Sequence, residues 1–160
     1  MKLKHCLSVI GMFLALAMSA QENTPPAVID VEGIEPGMTI SYSDFVKKFG
    51  KPDKYRSYDS DYGVSEDYEI HGCEFHCEEN GILYNFYIED SRYRILTHYF
   101  KDGVRIGDDF SVLKVLEPAF VQALKDGTVQ YVLFEKISDS LLYVNVKQGK
   151  IESVFFNYPV

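Results

Sequence analysis

Four side chains capable of metal or thiol chemistry crowd into one short run: His71, Cys73, His76 and Cys77 in HGCEFHC. Zinc would take four such ligands in a tetrahedron, ordinarily as two close pairs brought together by a turn. This run reads instead as a strand, on which Cys73 and Cys77 share one face and His76 points to the other. Convergence of all four needs a bulge or turn that nothing else in the segment demands. An oxidising compartment would let the two cysteines pair. Residues four apart on a continuous strand, however, are about 13 Å apart, beyond disulfide reach unless a local turn intervenes. As a nucleophile, Cys73 or Cys77 could be served by His76 or His98 as base, yet a core thiol on a strand is inert. The residues favour two buried free thiols. The cluster carries the alternative function: a small secreted enzyme or metal-binding protein.

The carboxylates offer a second chemistry. Asp59, Asp61, Glu66, Asp67 and Glu69 are clustered as calcium prefers, but the twelfth position from Asp59, where an EF-hand loop needs its bidentate acid, is Ile70. A solvated acidic loop is the plainer reading. No Gly-x-Ser-x-Gly elbow, HExxH helix, phosphate-cradling glycine loop or dinucleotide fingerprint occurs. No catalytic residue, metal or cofactor is therefore expected.

Recognition chemistry is better represented. The run YRSYDSDYGVS interleaves Tyr55, Tyr58 and Tyr62 with Ser, Asp59, Asp61 and Gly. Antibody loops use that mixture, because Tyr offers large contact area at low entropic cost while Ser and Gly adapt. Tyrosines that merely pack back onto a sheet would have the same sequence. Farther along, Asn85, Tyr87 and Tyr143 alternate with apolar residues and should stand on a solvent face. These eight residues are the expected partner-binding set.

The elements that must position them read as two similar halves. Residues 41–49 form a short helix with Ser41 as N-cap, Asp44 in a capping box, and Phe45, Val46 and Phe49 on one face; Gly50 and Pro52 end it. Residues 53–66 read as turns. Strands are expected at 68–78, 82–89 and 92–100, with Asn80-Gly81 a strong hairpin signal and Asp90-Ser91 a weaker one. The second half repeats the order: helices at 111–116 and 118–125, the latter closed by Gly127, then strands at 129–136, 141–147 and 151–156, with turns at Ser138–Ser140 and Gln148-Gly149. Alternation sends Cys73, Phe75, Cys77, Ile82, Tyr84, Phe86, Ile88, Val132, Phe134, Leu142, Val144 and Val146 inward. Glu74, His76, Asn85, Tyr87, Tyr131, Tyr143 and Asn145 go outward. The expected class is α+β: two halves, 33–101 and 102–160, each of a short helix or helix pair plus three strands, with the helices on one face of an antiparallel sheet.

Ahead of this body lies an export signal. Lys2 and Lys4 precede an apolar run over 7–18, and Ser19-Ala20 supplies small residues before polarity returns at Gln21. Cleavage near Ala20 would release a secreted or periplasmic protein led by a loose segment, 21–32. Cys6 precedes the apolar run, and no later stretch is long and apolar enough to span a bilayer. Without residues 1–20, 14 basic side chains face 24 acidic ones, a net charge of −10. That balance argues against nucleic acid and anionic membrane surfaces, and permits a basic protein partner. A monomer is expected.

The run GMTISYSDFVKKFGKP, through Gly37, Met38, Thr39, Phe49, Gly50 and Pro52, resembles the opening of the SmpA/OmlA-type outer-membrane lipoprotein domains. Those domains are similar in architecture to the tandem repeats of the β-lactamase inhibitor protein family, which the two-fold pattern here also resembles. The resemblance implies a fold and a mode of binding, through an open sheet face, without implying a target. No lipobox cysteine is present, so lipid anchoring is not implied.

Overall fold

The computed structural model describes residues 30–61, 63–97, 100–113, 118, 120–135 and 140–158; the expected signal peptide and most of the leader lie outside them. The chain runs β1 (Asp30–Val31), α1 (Tyr42–Phe49), β2 (Lys54–Ser60), β3 (Gly63–Ile70), β4 (Cys73–Glu78), β5 (Ile82–Ile88), β6 (Ile95–Thr97) and β7 (Phe100–Val104). A 3-10 turn (Phe110–Leu113) follows, then β8 (Phe120–Ala123), β9 (Val129–Glu135), β10 (Ser140–Lys147) and β11 (Lys150–Asn157).

The α+β expectation is overturned: the fold is mostly β, with one α-helix among the described residues. Helix α1 forms because its ends are locally satisfied. Ser41 accepts the Asp44 N–H at 3.1 Å, and Gly50, at φ 97°, donates its N–H to Val46 O. No α-helix forms among the described residues of the second half. Residues 120–123, expected in a helix, lie instead along the edge of β9 as β8, with Phe120 opposite Val132 and Ala123 opposite Val129. A helix this short is marginal in water, whereas Phe and Val suit a strand that finds a backbone partner. Gly127 closes the β8–β9 turn at φ 87° and not a helix. Of the helix expected at 111–116, a 3-10 turn occupies the start and residues 114–117 lie outside the described set.

Eight strands form one antiparallel sheet in the order β2-β3-β4-β5-β11-β10-β9-β8. Each half thus contributes a four-stranded meander and not three strands, and the meanders meet at β5 and β11. The first extra strand comes from the run expected to be turns: residues 54–60 pair with 63–69 as a hairpin. The strand expected over 68–78 breaks at His71-Gly72, both with positive φ, to become β3 and β4. The strand expected over 92–100 joins no large sheet. Its residues make β6 and begin β7, which with β1 form a separate three-stranded sheet.

The expected Asn80-Gly81 turn closes β4–β5, where only glycine fits. At φ 103°, a Cβ on Gly81 would sit 2.8 Å from the Ile40 carbonyl oxygen. Gln148-Gly149 turns β10 into β11 as expected.

Directly opposed residues share a face. Tyr55, Tyr68, Phe75, Phe86, Phe156, Leu142 and Leu133 therefore form one row across the inner face. Helix α1 covers it: Phe45 stacks on Tyr68 at 4.2 Å and meets Phe75 edge-on at 5.3 Å. Val31, Tyr93, Ile95 and Val104 belong to the same core. No helix among the described residues is long and apolar enough to cross a membrane.

Candidate functional site

With one face of the large sheet filled by the core, the other carries most of the polar residues of β3, β4 and β5 and a mixture of polar and apolar ones over the second half. One outer row reads Lys54, Glu69, Glu74, Tyr87, Phe155, Tyr143, Val132 and Phe120 from edge to edge. The next reads Arg56, Asp67, His76, Asn85, Asn157, Leu141 and Phe134. A cleft of about 340 Å³ opens over the first-half side of these rows. Lys54, Arg56, Asp67, Glu69, Glu74, His76, Asn85, Tyr87 and Phe155 are among its lining residues. That volume lies within the range of small-ligand or side-chain sites.

The cleft's charges are organised by register. Lys54 donates to both Glu69 oxygens at 2.8 and 2.9 Å, and Arg56 stands directly opposite Asp67. His76 is clamped on both ring nitrogens, Nδ1 at 2.7 Å from Asp67 and Nε2 at 3.0 Å from Glu78. Burial opposes charge on this imidazole, but the hydrogen bonds and charges of Asp67 and Glu78 outweigh it and hold its pKa above the usual value. The aromatic floor is made by Tyr87 opposite Phe155, and Phe155 in turn meets Tyr143 at 5.5 Å between ring centroids. Beside it, an amide ladder ties the outer face of the second half: Gln122 donates to Gln130, Gln130 to Asn145, and Asn145 to Ser153, at 2.7 to 3.0 Å.

Of the residues expected to bind a partner, Asn85, Tyr87 and Tyr143 stand on this face, the first two lining the cleft. Tyr58 stands on the same face outside the cleft lining, half exposed; burial, and then the Asp67 and Glu78 carboxylates nearby, push its phenol pKa up. Tyr55 and Asp59 do not join it. Strand alternation turns them to the covered side, where Tyr55 packs on Tyr42 and Tyr68 and its hydroxyl donates to Glu66 at 2.5 Å. Asp61 is exposed in the β2–β3 turn, and Tyr62 lies outside the described residues. The expected tyrosine loop is therefore an edge hairpin whose side chains divide between two faces. Phe155, Lys54 and Arg56 were not singled out beforehand, whereas Glu74 was expected on the outer face but not as a partner-binding residue. For Lys54 and Arg56 the signal is the period-two pattern of β2, legible only once that run is known to be a strand; for Phe155 it is the pairing of β11 with β5, since that expected strand has apolar residues on both faces.

The His/Cys cluster is split by the same alternation. Cys73 and Cys77 are free and buried in the core, and burial above all drives the Cys77 thiol up to about 12, a poor nucleophile at any physiological pH. His76 is on the opposite face and His71 is exposed in a turn; His98 lies outside the described residues. No group of three His, Cys, Asp or Glu side chains converges as a metal site among the described residues.

No family model matches the chain, and no curated protein and no solved structure shows significant similarity to it.

Proposed function

We propose that this chain is a secreted, non-catalytic binding module whose protein partner docks on the outer face of the eight-stranded sheet. The observation that carries the reading is the cleft over β2–β5 and β11. Its aromatic floor of Tyr87 and Phe155 is bordered by charged side chains and continues into Tyr143. Aromatic anchors ringed by polar groups are the usual makeup of an interaction hot spot. The charged border would also steer a complementary partner in a salt-dependent way. An inhibitor and an envelope adaptor both fit this description, and both would use the same face.

The test is site-directed photo-crosslinking of the exported protein in the cells that make it. A crosslinking side chain at position 87 should yield a discrete protein adduct, while one at Met38, exposed but away from the cleft, should not. Tyr87→Ala should then weaken the captured complex by about 2 kcal/mol without moving the thermal midpoint. No adduct from position 87, or the same adduct from both positions, would sink the reading.

A further inference from the structure

The cleft contains one carboxylate without a counter-charge, and it stands beside the aromatic floor. Lys54 is closed on Glu69, and Asp67 holds His76, while Arg56 stands opposite Asp67 in register at the edge strand without an ion pair among the described residues. Glu74 is next inward along the row, directly between Glu69 and Tyr87. It is exposed and has no ion pair among the described residues. Tyr87 is bracketed by further acids: its hydroxyl donates to Glu89 at 3.0 Å, and Glu152 lies close enough for its charge to be felt there. Burial first, and after it Glu89 and Glu152, push the Tyr87 phenol up against a lowering contribution from Ser153, so the hydroxyl stays protonated across the physiological range. Lys54 and Arg56 are at the β2 edge and His76 is held by its own two carboxylates, which leaves Glu74, beside Tyr87, as the carboxylate of the lining without an ion pair among the described residues.

Resting on the binding-module reading, the geometry points to an arginine side chain of the partner as the occupant of this cleft. The guanidinium would lie over the Tyr87 and Phe155 rings and fork two N–H donors onto Glu74. A planar cation is attracted to an aromatic face. Its paired donors match a carboxylate bidentately, which the point charge of lysine does not. A cleft of about 340 Å³ accommodates such a side chain with part of its backbone. The whole-chain excess of acid over base favours the same sign of partner.

The full exported chain would be titrated by NMR with a short blocked peptide bearing one central arginine, and with the same peptide bearing citrulline, which keeps the shape and removes the charge. The arginine peptide should shift the amides of Glu74, Tyr87 and Phe155, and citrulline should bind at least about five-fold more weakly. Glu74→Gln should weaken the arginine peptide about five-fold or more. Glu79→Gln, the same charge change on an exposed turn residue outside the cleft lining, should change it by less than about two-fold. Both replaced side chains are exposed, so folding should be unaffected, and an unchanged thermal midpoint checks this. Equal binding of the two peptides, no shift at these amides, or an equal effect of both substitutions overturns the inference. If position 87 still crosslinks to a protein partner in that event, the module reading stands and the arginine is wrong. If position 87 captures nothing, the reading beneath it falls as well.

Discussion

His76 illustrates how much one side chain's role depends on the face it is given. In sequence it is the middle of a Cys/His cluster; in the fold it is an imidazole held between two carboxylates on the outer face. Arg56, opposite Asp67, and Tyr58, near both acids, are the other ionisable neighbours. Its pKa is raised on folding, so folding takes up protons in this region. The stabilisation is fully present below the unfolded value, about 6.5, and is lost as pH rises through the higher folded value. Urea midpoints should therefore fall between about pH 6 and pH 8.5, and His76→Gln should flatten that decline. A wild-type midpoint that rises over this interval would contradict the assignment.

At the scale of elements, α1 and its landing site on β3 and β4 are the best-determined unit. Phe45 is fully buried, sandwiched by Tyr68 and the edge of Phe75, while Phe49 reaches Phe75 and Tyr93. Tyr68 supplies a ring but wastes a hydroxyl, which is buried without a hydrogen-bond partner. Burial, and after it the Glu66 charge, push that phenol far above its ordinary pKa. Phe45→Ala should cost about 3 to 5 kcal/mol through lost transfer energy and a cavity. Tyr68→Phe should cost nothing, or gain up to about 1 kcal/mol by removing an unsatisfied polar group. Chemical denaturation of the pair checks both, and a large loss for Tyr68→Phe would mean that the hydroxyl has a partner. This helix was legible beforehand because its signals, Ser41, Asp44, Gly50 and the apolar spacing, are all local. Strand β2 was not: KYRSYDS buries almost nothing, so no apolar alternation betrays it.

For the whole molecule, the joint between halves is the β5–β11 pairing, Asn85–Ile88 against Val154–Asn157, with Phe86 stacked on Phe156 at 5.4 Å. Cutting the chain near Lys101 would remove most of β7 with the core residue Val104, and all of β8 to β11, and expose the β5 edge together with that ring. Each half has few residues with which to build a core alone, and an open apolar edge invites aggregation. The fragment 21–101 should therefore lack a cooperative thermal transition that 21–160 shows. A sharp, reversible melt of the fragment would mean that the halves are independent domains.

What could be read from the chain alone was whatever short-range chemistry decides: the caps of α1, the Asn80-Gly81 and Gln148-Gly149 turns, and the burial of Cys73, Phe75 and Cys77. Tertiary structure decided the rest. Alternation along β5 places Ile82 inward, but the register shift between β4 and β5 at His76/Cys77 resets the pattern, so that Leu83 is fully buried and Ile82 is not. In β9, five of the seven residues of VQYVLFE are apolar or aromatic, and its expected face is reversed. Leu133 opposes Leu142 on the inner face and Tyr131 packs on Phe110, while Phe134 stands outside at 39% exposure. A strand with apolar groups on both sides carries no preference of its own, so the register of its neighbour chooses the face. The cleft follows the same rule. Glu74, Tyr87 and Phe155 come from three strands, and only the pairing of β4 with β5 and of β5 with β11 brings them side by side.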